Sequence, residues 1–335
     1  MSILNNAISY SLSDYSDALG FVVWHSIADI RVSEAEISRL AGIYGIQDPP
    51  KLGHPADAFR RATSASQVRD ESGTVRYLMR PVADNAESVI REIVVERVDK
   101  QGKKLSHFGA FRLTYDKATN YIDVEDICGM KAFVAERDDC RKLADEAVAR
   151  YSEFANSLTG KELTRFAQKQ LERMSYIMLR PNGGCYFVLA SNRAKIEALM
   201  GFFAHLAQYK VTNDPIIFSA APVPNDPLQK AQIATGLEIT VGSEVDQMIA
   251  KLADLRDNID SVRESTLASK AAEIAELRAK VSNYSAMIET ESGILTARLE
   301  ILDQTIDALF DRFADANTAK IKAERKPIRK AKKTA

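Results

Sequence analysis

Residues 267–310 read LASKAAEIAELRAKVSNYSAMIETESGILTARLEILDQTIDALF, and how they are read decides the fold. Leu267, Ile274, Val281, Ile288, Leu295, Leu302 and Leu309 recur at every seventh position. Leu277, Tyr284, Leu299, Ile306 and Phe313 lie between or beyond them, an alternating 3 and 4 spacing that keeps one apolar stripe on one side of a helix. Such a stripe has to be hidden from water by another helix. The pattern predicts a long coiled coil or a helical hairpin, and for the coil a partner that is a second copy or another coiled-coil protein.

An earlier stripe, Val245, Met248, Leu252, Leu255, Ile259 and Val262, leads into it. Its next positions fall on Thr266 and Ser269, whereas the later stripe begins at Leu267, so the register slips by one residue across the polar segment 263–270. A local overwinding or the bend of a helical hairpin accounts equally for the slip. Gly293 sits inside the later stripe and is expected as a tolerated weak point costing about 1 kcal/mol relative to Ala. The seam expected to hold copies together is Val245, Leu252, Ile259, Leu267, Ile274, Val281, Ile288, Leu295, Leu302 and Leu309.

Outward from the stripe, charge separates sharply. Residues 319–335 carry eight Lys/Arg against one Glu, a net +7, while 245–318 carry eight basic and fourteen acidic residues, a net −6. The whole chain is nearly neutral at −1. An acidic rod followed by a basic tail suits a polyanionic partner or a clasp between the two. The tail cations Lys320, Lys322, Arg325, Lys326, Arg329, Lys330, Lys332 and Lys333 are the candidate nucleic-acid contacts, with Pro327 interrupting any helix through them. Binding of this kind releases counterions, weakens with salt and reads little sequence.

At 335 residues and 46% hydrophobic content, the chain holds enough apolar material for roughly two domains. Cys128, Cys140 and Cys185 are too few and too scattered for a disulfide framework, which points to a reducing compartment. The first thirty residues lack a leader pattern and the apolar run near Phe21–Trp24 is too short to span a membrane, so a cytoplasmic protein is expected.

Upstream of the rod, the pattern predicts an α+β head. Ser33 and Glu36 form a capping box before a helix carrying Ile37 and Leu40, and Asp57 is expected to cap a short helix through Thr63. Residues 87–98, 105–115 and 121–124 are expected as an antiparallel meander, with Leu105, His107, Phe111, Leu113 and Tyr115 on one face and Ser106, Phe108, Arg112 and Thr114 on the other. Helices are expected near 138–156 and 161–174, the second capped by Thr159 and Glu162, and Asn182-Gly183 predicts a hairpin between strands at 176–179 and 185–189. Pro222, Pro224 and Pro227 suggest a boundary. The expected division is a head at 1–221, a linker and helix start at 222–244, a coiled coil at 245–318 and a disordered basic tail at 319–335.

Catalytic signatures are weak. Thr159-Gly-Lys-Glu162 has Ala155 in place of the first glycine of a phosphate loop and Glu162 in place of its Ser/Thr, so it is rejected. His25, His54, His107 and His205 show no paired spacing, and His107 is expected as a core residue. Asp123, Glu125 and Asp126 could present two carboxylates at a strand end, but solvated strand-end acids are common, and Glu136, Asp138 and Asp139 suit a helix start. A weaker nucleic-acid feature is the hairpin with Lys103, Lys104, Phe108 and Arg112, where an aromatic and a guanidinium would share a face. No catalytic residue, metal ligand or cofactor is assigned.

The stretch Phe21–Val32, with Trp24, Ser26, Asp29 and Arg31, and the segment Asp57-Ala-Phe-Arg-Arg-Ala-Thr63 resemble a family of functionally uncharacterised proteins of bacteriophages and bacteria. The resemblance implies a viral or mobile-element setting and an α+β head with a helical tail, and it carries over no catalytic residue. On their own, Phe59 is expected to anchor the core and Arg60 and Arg61 to pair with carboxylates on a helix surface. The expectation is a non-enzymatic, homo-oligomeric accessory or structural protein that touches DNA or RNA through its tail. A protein-binding adaptor without nucleic-acid affinity, or an enzyme with a dispersed carboxylate or metal site, is the alternative.

Overall fold

The computed structural model describes residues 17–324, apart from 65–66, 70–72, 100, 130–131, 181–183 and 291, and leaves the side chains of 67, 260, 317 and 319–324 undescribed. The chain divides into two compact units. One gathers the chain up to His25, Ala167–Met200 and the chain from Ile217 onward; the other gathers Ser26–Phe166 and Gly201–Ile216.

In the second of these, helices α1 (Glu34–Tyr44), α2 (Pro55–Ala62) and α3 (Val134–Asn156) accompany a five-stranded sheet of β2 (Gln67–Arg69), β3 (Val75–Asp84), β4 (Ser88–Val98), β5 (Lys104–Asp116) and β6 (Ile122–Asp126), ordered as in the sequence. All its neighbouring strands run antiparallel, so the expected meander is present. α3 buries Cys140, Ala144 and Ala147, small side chains at helical spacing, in a core with Phe59, Val95, Phe111, Leu113 and Tyr115. Ser33 caps α1 as expected, accepting from the Glu36 amide. The cap of α2 is His54, not Asp57: Nδ1 of His54 accepts from the Ala56 amide, and Pro55 takes the first helical position, where a missing N–H costs nothing.

The expected faces of β5 are corrected by a bulge. Ile93 lies opposite Phe111 but Val94 lies opposite Gly109, leaving Ala110 as the extra residue. Alternation reverses there. Phe108, opposite Val95, joins the core side with Phe111, while Leu105 and His107 are exposed. His107 is therefore no core histidine, and Phe108 and Arg112 lie on opposite faces of the sheet.

In the other unit, β1 (Gly20–Ser26), β7 (Ile177–Met178), β8 (Cys185–Leu189) and β9 (Ile217–Val223) form a sheet in the order β7-β8-β1-β9, joined in this chain by α4 (Gly160–Glu172) and α5 (Arg193–Leu206) among the intervening elements. β8 runs antiparallel to both β7 and β1; the tip of the expected 176–189 hairpin lies outside the described residues. Gly20 is needed in β1 because a Cβ there would run into the Val188 carbonyl and the Phe187 ring.

The last third of the chain is three helices that pack pairwise, α6 (Pro227–Asp257), α7 (Glu264–Ile288) and α8 (Gly293–Glu324). Leu267, Ile274, Val281, Ile288, Leu295, Leu302 and Leu309 are all buried in one core with Val245, Met248 and Leu252 of α6 and with Leu19, Ile177, Phe187 and Val223 of the sheet unit. Of the residues expected to join copies, Ile259 packs half-buried on that core and the other nine are buried within the chain. The stripe is satisfied internally.

Several boundaries change accordingly. The linker expected at 222–244 is strand and helix: Pro222 belongs to the edge strand β9, where a missing donor is tolerated, and Pro227 opens α6 behind the N-cap Asp226. The weak helix formers of early α6 have packing roles. Gly236 lies at ordinary contact distance from Ile177, Met178 and Leu179, and Thr240 accepts from the Met178 amide at 2.9 Å, closing the outer edge of β7. Gly293 begins α8 rather than lying within a helix, after a turn in which Glu289 adopts φ 57. Residues 319–324, expected as disordered, continue α8; the tail from Arg325 lies outside the described residues.

A comparison of neighbours on α8 tests which of its faces is buried. Leu302 is fully buried and Ile301 is 53% exposed. Leu302→Ala is expected to lower stability by about 2–5 kcal/mol in denaturant unfolding, whereas Ile301→Ala should change it by no more than about 0.5 kcal/mol.

Candidate functional site

In the sheet-and-bundle unit a groove of about 330 Å³ lies on the seam between α6 and α7. Glu172, Ser175 and Tyr176 close one end of it, Glu244, Gln247, Met248 and Lys251 come from α6, and Glu273, Glu276, Leu277 and Lys280 from α7. The α7 residues sit beside the buried stripe, so a helix that hides Ile274 and Val281 displays Glu273, Glu276 and Lys280 along its border.

Lys280 is the buried cation of the groove. Its ammonium donates to both carboxylate oxygens of Glu244, at 2.8 and 3.1 Å, and stands 5.6 Å from the Tyr176 ring centre. Beneath it, the Tyr284 hydroxyl donates to the carbonyls of Ser175 at 2.9 Å and Phe187 at 3.1 Å. Ser175 itself adopts φ 53, a left-handed conformation uncommon outside Gly. Burial raises the Tyr284 phenol far above its ordinary pKa and, with Tyr186, Glu172 and Glu244 adding to it, raises Tyr176 as well. Both phenols therefore stay protonated.

Four carboxylates against two ammonium groups give the lining a negative balance. Glu273 pairs with Lys270, and Glu172 and Glu276 enter no ion pair with a described residue. No histidine or cysteine lines the groove.

With the fold and this groove described, the chain can be compared with known proteins. A family of unknown function, DUF6744, matches residues 18–318. The chain belongs to that family. No curated protein and no solved structure matches it.

In this DUF6744 member, the remaining positions singled out in the sequence are dispersed. Lys320 and Lys322 fall in the final turns of α8, and Arg325, Lys326, Arg329, Lys330, Lys332 and Lys333 lie outside the described residues. The cations of the five-stranded sheet are neutralised locally: Arg80 and Lys104 meet Glu96, and Arg112 donates to Glu92 and lies 3.8 Å from Glu125. Asp126 accepts from the Cys128 thiol and from Arg137, and Glu136, at the start of α3, holds Arg97 at 2.7 Å. Arg60 pairs with Asp57 and Asp84, and Arg61 with Glu162, as expected of helix-surface charges. No group of three His, Cys, Asp or Glu side chains among the described residues is arranged to hold a metal, and no described helix is long and apolar enough to cross a membrane.

The groove residues were not legible as a set, because they come from three separate segments. A second polar cluster was missed for the same reason. Glu36 accepts from Arg39 at 2.6 Å and from the Tyr209 hydroxyl at 2.7 Å, and Tyr44 reaches Nδ1 of His205 at 2.5 Å. Gly201 leaves the room that the Tyr44 ring occupies.

Two measurements test these arrangements. Tyr284→Phe removes the buried hydroxyl shared between the Ser175 and Phe187 carbonyls and should cost about 1–3 kcal/mol in unfolding experiments. The Arg39 and Tyr209 hydrogen bonds lower the Glu36 pKa from 4.5 to about 2. A carboxylate with a depressed pKa stabilises the fold above pH 4.5, and that contribution is lost as the pH falls toward 2. Carboxyl titration by NMR should show this midpoint, and Glu36→Gln should flatten the stability profile between those two pH values.

Proposed function

We propose that this protein is a non-enzymatic accessory or structural protein of a phage or mobile-element setting, which contacts nucleic acid through its basic carboxy-terminal segment. The observation that carries the reading is the segregation of charge, eight Lys/Arg against one Glu over 319–335. Phe313 is the last described residue of α8 packed on the bundle core, yet the helix backbone continues to Glu324. The helix backbone thus runs on past the packed core before the basic segment, which favours contact with an extended polyanion. Ion pairing of the sheet arginines supports the same assignment, since those side chains already have carboxylate partners. A cytoplasmic location fits this role.

The test is a salt-titrated binding assay with a DNA duplex. Neutralising six to eight phosphates gives a slope of about −5 to −7 in a plot of log affinity against log salt. A full-length variant with Arg325, Lys326, Arg329, Lys330, Lys332 and Lys333 all changed to Gln should bind at least about 100-fold more weakly at low salt and lose most of the slope. Equal affinity of the two proteins would remove the tail from the mechanism.

A further inference from the structure

We propose that the outer face of the α6–α8 seam is a contact surface for a second copy of this chain. Both helices carry a second, outward row of apolar and small side chains beside the buried stripe. On α6, Leu228, Thr235, Ile239, Ile249 and Ala253 fall on one side of the helix, and on α8 Ile294, Ile301 and Ala308 recur at every seventh position. The four isoleucines are each between 39% and 66% exposed. Their distribution is uneven. Among the described residues α7 shows no exposed large apolar side chain, so this exposure belongs to one side of the bundle rather than to its surface in general.

Side-chain contacts across the seam bring the isoleucines together. Ser292 bonds Glu238, and Arg298 reaches the Gly242 carbonyl and Asp246, so α8 runs alongside α6 in the same direction. Ile239 and Ile294 lie between these two contacts, and Ile249 and Ile301 each lie three residues past the second. The charges among them, Arg298 and Asp246, meet each other at 3.3 Å. The centre of the face is therefore apolar and internally neutral, which matches another such face and gives a polyanion or a charged protein surface nothing to select. Taking α6 from Leu228 to Ala253 and α8 from Ile294 to Ala308 as rods about 10 Å wide, each copy presents roughly 600 Å², and two copies bury roughly 1,200 Å², the lower end of what a specific interface needs. A two-fold contact with the partner's helices antiparallel lays the Ile239–Ile294 end of one copy on the Ile249–Ile301 end of the other. An interface of this size is weak and reversible, so in dilute protein Ile301 faces water. The contact leaves the buried stripe within each chain, and it does not rest on the nucleic-acid reading.

Sedimentation of nucleic-acid-free full-length protein tests the idea. Between about 10 and 500 μM, the mass should rise from the 37.1 kDa of one chain toward twice that value. The rise should be as large at about 0.5 M salt as at about 50 mM, because burial of apolar surface is not screened. Ile239→Gln combined with Ile301→Gln should hold the mass at one chain and leave the unfolding transition of dilute protein in place, and a second pair, Ile249→Gln with Ile294→Gln, should do the same. Leu105→Gln, which removes an exposed leucine from the five-stranded-sheet unit, and the tail variant with six Gln should associate as the unaltered protein does. Protein that stays a single chain at the highest concentration overturns the proposal. Association that disappears at 0.5 M salt or in the tail variant also overturns it, as does association that survives in either folded isoleucine pair.

Discussion

The structure depends on hiding one apolar stripe from water. Seven large side chains at seven-residue spacing, from Leu267 to Leu309, cannot stay on a solvated helix, and burying each is worth about 1.5–3 kcal/mol. The chain meets this demand by turning twice, so that α6, α7 and α8 cover one another and the sheet adds Ile177 and Phe187 to the same core. Everything displayed on the outside of these helices, including the acidic border of the groove, follows from which residues the stripe turns inward.

The stripe was legible in the sequence, but the turns that fold it were not. Ile288 and Leu295 are seven residues apart although the chain reverses between them, because the turn from Glu289 to Ser292 happens to preserve the count. Gly293 was the local sign of that turn and was outweighed by the unbroken periodicity. The one-residue slip read across 263–270 did mark a break, but the chain turns just upstream of it, between Asn258 and Arg263, and 264–270 are already helix. Helix propensity also misled before Val245, where Thr240 and Gly236 serve contacts with the β7 segment rather than weakening a solvated helix.

In the five-stranded sheet the order of strands followed from hydrophobic alternation and turn residues, whereas the facing of side chains did not. One extra residue at Ala110 exchanges inside and outside over 106–109 of β5, and a second at Leu105 shifts the register again. The groove was hidden for a different reason. It joins Tyr176, Glu244 and Lys280, whose proximity depends on the tertiary packing, while charge totals along the rod could indicate only that carboxylates would be plentiful. The comparison with known proteins establishes membership of an uncharacterised family and leaves function to be argued from chemistry.

The central claim is that the helices shield their stripe within one chain, and isotope-mixed cross-linking addresses it most directly. Lys230 of α6 lies 3.0 Å from Glu289, just past α7, a pair suited to a zero-length carbodiimide bond. Equal amounts of ¹⁴N- and ¹⁵N-labelled protein, co-refolded and then cross-linked at about 0.5 M salt to suppress exposed charge contacts, should yield this linked peptide pair only as all-light or all-heavy species. Mixed light–heavy pairs making up about half of the product would show that the stripe is buried between chains, and would contradict the account.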